Sequence, residues 1–337
     1  MGLKGQEVLS RARVAVIGVG GLGAPCSLYL AGAGIGNLLL MDGDRIEISN
    51  LHRQVIFTEA DVGQNKATVA KQKLTALNSE IQVASRPQYM DRNNIEKSLS
   101  SYDVVVDGTD NFQARFLLNE FCVARKKIFI YGSATQWYGQ AALFYPEGPC
   151  LCCLFSNIEA GLFQDCDTAG ILGPAVGVIA LFQAQLVLNW FLFGKKENTL
   201  YLYDAKRFSL ERIMSQKLDH CPVCSRPCGG SPGGERPRGR ALHADHTVSL
   251  RTALRWQKEK TAILDLRDEA AFREGVVSGA IHLPYQKILF EDALEKNFKK
   301  GDRLVLYCHN NVISPFVQSV MAKRGYRNIY VLDRRIK

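Results

Sequence analysis

The stretch "VAVIGVGGLGAP", residues 14–25, decides the fold around it. Val14, Val16 and Ile17 form the β-branched core of a strand, which runs straight into a glycine-rich turn. Gly18, Gly20 and Gly23 satisfy G-x-G-x-x-G, and Pro25 is placed to open a helix. Such a turn lets backbone approach a phosphate, and the helix N-terminus offers it free N–H groups. The next apolar stretch, "NLLLMD", ends at Asp42, 19 residues after Gly23, where a dinucleotide fold keeps the acid for the ribose hydroxyls. Taken alone, this unit reads as an NAD site.

Outward from that turn, strands and helices alternate. A short helix, "GQEVLS", precedes the first strand, and a helix over Ala24–Ala33 follows the turn. "NKATVAKQKLTALN" and "FQARFLLNEFCVARKK" read as helices; "IQVAS", "YDVVVDGTDN", "IFIY", "GQAALFYP" and "TLYLYDA" hold strands. The pattern predicts an α/β fold of Rossmann type, a mostly parallel sheet with helices on both faces. Ligands of such sheets gather at the carboxyl ends of the strands, where Gly20, Asp42 and Asp110 fall. Residues 225–241, rich in Gly, Pro and Arg, read as a linker. Beyond them "AILDLRD", "GAIHLP", "RLVLYC" and "NIYVLD" predict a smaller α/β domain over 242–337, leaving 1–224 as the large one.

Charge is uneven. Of the net +9, the tail domain holds +6 and the linker +3, so the large domain is near neutral. No nucleic-acid recognition motif accompanies the basic surface, which fits solvation or an acidic protein partner. The opening "MGLKGQEVLSRARV" lacks the apolar core of a secretory signal, and ten cysteines over so long a chain suit a reduced, cytoplasmic setting. "AVGVIALFQAQLVLNWFLFG" is long enough to span a bilayer. Gln183, Gln185 and Asn189 interrupt it, so a buried helix is expected and a membrane is not.

The residues after Asp42 argue against hydride transfer. "DGDRIEISNLHRQ" carries Asp44, Ser49, Asn50, His52 and Arg53, and "VGQNKA" places Lys66 at a helix start. Two cations aimed at the phosphate region suit charge building on a triphosphate and its departing pyrophosphate. Asp110 and Asn111 end another strand, where a carboxylate can hold Mg²⁺. Each signal is weak alone, but their joint order is specific. "GVGGLG", "MDGD", "SNLHRQ", "GQNKA" and "DGTDN" resemble the MoeB/ThiF/HesA family, relatives of ubiquitin-activating enzymes, from about Gly5 to Cys224. The resemblance implies a dimeric enzyme that uses ATP and Mg²⁺ to adenylate the C-terminal glycine of a ubiquitin-like sulfur carrier ending in Gly-Gly. It implies that Gly20 and Gly21 cradle phosphate, and that Asp42 holds the ribose. It assigns Ser49, Asn50, Arg53 and Lys66 to the triphosphate, with Asp110 and Asn111 at the Mg²⁺ end. Family members open with an arginine-bearing arm that reaches the partner subunit's nucleotide; this sequence starts at the glycine before the first helix.

Cys150-x-x-Cys153 and Cys221-x-x-Cys224, separated by 67 residues, supply four thiolates, the set for a closed tetrahedral Zn²⁺ site. Redox pairs are the other reading, without a thioredoxin-type context to favour it. Cys26 and Cys122, on expected helices, read as core. Cys166, in "FQDCDTAGILGP", resembles the family's crossover-loop cysteine, which takes up the activated carrier; a spare loop cysteine is its plain reading.

The tail, "AILDLRDEAAFREGVVSGAIHLP" then "LVLYCHNNVISPFVQSVMAKRGYRNIYVL", resembles a rhodanese domain. By position Cys308 is the cysteine that carries a persulfide there, at a helix N-terminus that favours an anionic sulfur. Asn311 stands where that family has Gly, Ile313 where it has Arg, and Arg334-Arg335 where it has a glycine pair. These departures keep a degenerate or truncated tail in view. The combined expectation is an adenylyltransferase–sulfurtransferase, fed by a cysteine desulfurase or other persulfide donor and yielding a carrier thiocarboxylate. The other reading is a carrier-binding scaffold, or an adenylating enzyme with an inert tail. Molybdopterin, thiamine and tRNA-thiolation pathways all fit.

Overall fold

β1 (Arg13–Ile17) is the strand of the opening motif, and its last four residues are buried. A strand covered on both faces reads as a continuous apolar run, as this one does. It pairs in parallel with β2 (Asn37–Met41) on one side and β4 (Val104–Asp107) on the other. β3 (Gln82–Arg86) extends the sheet beyond β2, and β5 (Ile128–Thr135) beyond β4, both parallel. β6 (Tyr138–Phe144), β7 (Thr199–Asp204) and β8 (Ser209–Met214) continue it antiparallel. The order is β3-β2-β1-β4-β5-β6-β7-β8, so the expected mostly parallel sheet is present. The chain winds outward from β1 to β3, then returns to β4 and winds the other way. Between the carboxyl ends of β1 and β4 lies the switch point, where a crevice opens.

The computed structural model describes residues 2–155, 171–225 and 247–333, apart from 268, 274, 276, 291–292 and 309–312. The described residues form two compact units, one of residues 2–151 with 171–225, the other of 152–155 with 247–333. In the first, α1 (Gly2–Arg11), α2 (Gly23–Gly32), α3 (Lys66–Leu77), α4 (Ile95–Leu99), α5 (Phe112–Ala124) and, after the short α6 (Leu151–Leu154) that starts on its residue Leu151, α7 (Gly173–Phe193) accompany the sheet. α7 is, among the described residues, the one helix long and apolar enough to cross a bilayer. It packs on the sheet: Cβ atoms at Gly132 and Gly139 would strike Gln183 and Ile179. Gln183 is fully buried, and its Nε2 donates to the Asp107 carbonyl at 2.7 Å, so the polar break in the apolar run has a buried partner.

The second unit has its own parallel sheet, β9 (Thr247–Ser249), β10 (Ala262–Asp265), β11 (Ile281–His282), β12 (Leu304–Tyr307) and β13 (Ile329–Asp333), in the order β11-β10-β12-β13-β9. Ile263, Val305, Tyr307 and Leu332 are wholly buried in its core. Sequence reading overlooked two strands. β8 buries one residue of its six and so lacks a clear apolar period; β9 is three residues long.

Candidate functional site

The glycine turn works because two loops touch. Gly18 has φ +86°, and a Cβ on it would lie 2.7 Å from the Gly108 carbonyl. A Cβ on Gly108 would lie 2.3 Å from the Gly18 oxygen, and one on Gly23 1.8 Å from it. The turn after β1 and the turn after β4 therefore meet backbone to backbone at the switch point, a fit only glycine permits.

Asp42 ties this turn to β2. Its Oδ2 accepts from Val19 N at 2.6 Å and its Oδ1 from Asp44 N at 2.8 Å. Burial pushes its carboxyl up, against the opposing pull of Lys66 and those two amides. Lys66, buried at the first turn of α3, donates to Asp44 Oδ2 at 2.9 Å. Tyr89 donates to the other oxygen of Asp44. Burial would raise the Asp44 carboxyl, but the bonds from Tyr89 and Lys66 outweigh it and hold the group below the usual range. Asn65 caps α3 through Thr68 N, while its amide nitrogen donates to the carbonyls of Asp42 and Asp44, both at 3.0 Å. One asparagine thus starts the helix that carries Lys66 and fixes the turn that carries the two acids.

Arg53 and Gln54 flank the glycines from the other side. A Cβ on Gly21 would meet Arg53 Cγ at 3.5 Å, and one on Gly20 would meet Gln54 Nε2 at 3.7 Å. The Arg53 guanidinium donates to the Ser49 carbonyl at 3.1 Å and lies 2.8 Å from His52 Nε2. Asn50 is buried and Ser49 exposed; Asn50 Nδ2 reaches Ser49 Oγ at 3.3 Å. A Cβ on Gly173, opening α7, would lie 2.5 Å from the His52 carbonyl, so this loop is wedged between the glycine turn and α7.

At the end of β4 the buried acid is Asp107, and Asp110 is exposed. Asp107 accepts from Thr109 N at 2.9 Å and Thr109 Oγ1 at 2.6 Å, and pairs with Arg115 Nε at 3.3 Å. Burial pushes its carboxyl up to about 6 against the pull of Arg115. Arg115 also donates to the Thr109 carbonyl at 2.8 Å, so the loop leading to Asp110 is held at both ends of one residue. Asn111 caps α5, accepting from Ala114 N at 2.9 Å, and reaches Asp110 Oδ1 at 3.4 Å.

Gly20, Gly21, Asp42, Ser49, Asn50, Arg53, Lys66, Asp110 and Asn111 therefore lie on the turns, and for Lys66 the helix start, that follow the carboxyl ends of β1, β2 and β4. Sequence reading passed over Gln54, Asn65, Tyr89 and the Asp107–Arg115 pair. The pair had a signal: an acid closing an all-apolar strand needs a buried cation, and Arg115 sits one helical turn after the cap.

Cys150, Cys153, Cys221 and Cys224 bring their sulfurs within 4.8 Å of one another, Cys150 and Cys221 at 3.6 Å. A tetrahedron of Zn–S bonds has edges of about 3.8 Å, so the quartet fits a zinc ion. Cys152, beside them, is buried in the core instead. Asn119 holds the first knuckle by accepting from Leu151 N at 2.8 Å. Cys26 and Cys122 are core thiols whose ionisation burial pushes far up. Cys166 lies outside the described residues.

In the second unit Cys308 follows β12 and is buried. Its sulfur accepts from Ser314 N, in the first turn of the helix Ile313–Lys323, at 3.4 Å. Arg267, after the adjacent β10, is bonded to the buried Asp265 and lies 5.0 Å over the Tyr307 ring. Asn311 and the side chain of Ile313 lie outside what is described.

Known families match both units. The ThiF family matches residues 1–223, and the rhodanese-like domain residues 249–336. "Adenylyltransferase and sulfurtransferase MOCS3" of Culex quinquefasciatus is 41% identical over 231 residues, covering 67% of this chain and 52% of that protein. Matches of this kind thus span about half the length of such relatives. "Sulfur carrier protein adenylyltransferase" of Thermus thermophilus is 40% identical over 233 residues, covering 66% of this chain and 86% of its own. Among solved structures, that of E. coli MccB with ATP superposes with a TM-score of 0.57 at 26% identity, covering 66% of this chain and 69% of that one.

Proposed function

The chain belongs to the ThiF family, and on that premise we propose that it is an ATP-dependent adenylyltransferase acting on the C-terminal glycine of a small ubiquitin-like sulfur carrier, with a sulfurtransferase tail. One observation carries the reading. Two cations, Arg53 and Lys66, and two carboxylates, Asp42 and Asp110, stand on the segments around a glycine turn in which a Cβ on Gly20 would meet only Gln54 Nε2, at 3.7 Å. The Culex and Thermus proteins are named for this chemistry, and the MccB structure holds ATP.

In this reading Gly20 and Gly21 receive the phosphates, and Asp42 keeps its free lone pairs for the ribose. A carboxylate oxygen of the carrier's last glycine bonds to the α-phosphorus as the bond to the pyrophosphate oxygen breaks. Arg53 and Lys66 stabilise charge on the departing pyrophosphate. Asp110, with Asn111 beside it, is the group to hold Mg²⁺, which supplies charge neutralisation at the phosphates. Ser49 and Asn50 shape the loop that presents Arg53. The quartet Cys150, Cys153, Cys221 and Cys224 holds structural Zn²⁺.

A persulfide on Cys308 then attacks the acyl adenylate and displaces AMP. Where Cys166 intervenes, its thiolate displaces AMP first to hold the carrier as a thioester, and the persulfide then displaces Cys166. An external thiol reductant breaks the sulfur–sulfur bond of the acyl disulfide, releasing the thiocarboxylate and leaving Cys308 a thiol. A cysteine desulfurase is the donor class that reloads it. We assign the protein to the cytoplasm, where such thiols stay reduced, and as a homodimer, in line with its family. The test is exchange of labelled pyrophosphate into ATP by the full chain with a carrier ending in Gly-Gly. Exchange that needs the carrier supports the reading. Carrier binding with no exchange makes the chain a scaffold.

A further inference from the structure

The crevice has an aromatic flank to which the adenylation reading gives no task. Tyr89 lies in the loop between β3 and α4 and is 68% exposed, yet it is fixed at two points. Its hydroxyl donates to Asp44, and its ring lies on Gly43, where a Cβ would come within 2.7–2.8 Å of three ring carbons. Gly43 does not adopt a positive φ, so the backbone has no need of glycine there. What glycine provides at this position is room for the ring, directly between the acid expected at the ribose and the acid that holds Lys66.

Tyr89 also lies within electrostatic reach of the acids after β2 and β4. Asp44 chiefly retains its proton, and Asp42 and Asp110 add to the effect, pushing the phenol up to about 12. The hydroxyl is therefore a neutral donor already committed to Asp44. What remains for a ligand is the ring itself, held rigid.

We propose that Tyr89 is a specificity-determining residue of the nucleotide site: its ring, seated on Gly43, is the wall on which the purine base of ATP stacks. The proposal rests on the nucleotide reading above. With phosphates at the glycine turn and ribose at Asp42, the base falls one sugar further out, beside Gly43. A planar π-face there recognises any base by stacking and favours the larger area of a purine. A ring held in advance by Asp44 and Gly43 loses little freedom when the base arrives.

The test is calorimetric titration of the full chain with ATP, CTP and inorganic tripolyphosphate, which carries the charge without a base. Tyr89→Ala is expected to weaken ATP about tenfold, the size of one lost base–aromatic stack. CTP should weaken less, and tripolyphosphate should be unchanged. Tyr89→Phe keeps the ring and should bind ATP within about threefold of wild type, since only the bond to Asp44 is lost. Gly43→Ala should repeat the base-selective loss with Tyr89 intact, because its Cβ lifts the ring. Thermal melting checks that each variant folds. ATP binding by Tyr89→Ala equal to or tighter than wild type overturns the proposal, as does an equal loss of ATP and tripolyphosphate. Wild-type protein that binds tripolyphosphate but prefers neither nucleotide overturns the wall alone; wild type that binds none of the three overturns the adenylation reading with it.

Discussion

Asp110 and Asp107 stand three residues apart on one turn, and burial separates their tasks. Asp110 is exposed at the crevice, and Asp110→Ala is expected to cut carrier-dependent pyrophosphate exchange by about a hundredfold or more while the melting temperature holds, since one charge-stabilising group at a phosphoryl site is worth that much. Exchange at the wild-type rate removes it from the reaction. Asp107 is buried, with its carboxyl raised from 3.8 to about 6. The folded protein therefore holds this proton more tightly than the unfolded chain does. Its contribution to stability is full below about pH 4 and is lost as pH rises through about 6, on the order of 2–3 kcal/mol over the window. Urea unfolding followed from pH 4 to 7 should show that downward slope. Asp107→Asn should flatten it, and a variant with the wild-type slope refutes the assignment.

At the scale of elements, the sequence was most legible where chemistry and period agree. β1, β2 and β4 are short apolar runs closed by Gly or Asp, and all three were readable with their carboxyl ends. Asn65 stands inside a legible motif, but its double grip on the Asp42 turn is not legible, because partners 21 and 23 residues away leave no local pattern. Tyr89 was invisible for the same reason: its place depends on what Gly43 lacks. The cysteine knuckles were readable from spacing alone, and they yield a prediction at this scale. Cys224→Ser, or chelation, should lower the melting temperature of the whole chain, since structural zinc is worth on the order of 10 kcal/mol in small modules. Purified protein should carry one zinc per chain by elemental analysis; zinc-free protein with an unchanged melting curve refutes the site.

For the whole molecule, the question is whether both units act in one reaction. Cys308 Sγ accepts a hydrogen bond from the Ser314 N–H, in the first turn of the helix Ile313–Lys323. Incubated with a cysteine desulfurase and cysteine, the chain should gain roughly 32 Da, one sulfur atom, on Cys308. Thiosulfate should load it poorly, because Ile313 supplies no guanidinium for an anionic donor. Adenylation without any such adduct would leave the tail inert. The alternation of strands and helices foretold both sheets, but not how the glycine turn is locked. Gly18 and Gly108 press backbone to backbone, with Val19 N bound to Asp42 and Thr109 N to Asp107. Neither turn can loosen without the other giving way, so the two form a single cooperative opening unit. Amide hydrogens of Val19 and Thr109, on segments some ninety residues apart in sequence, are expected to exchange with deuterium at one common protection factor, and a nucleotide that grips either turn should slow both alike.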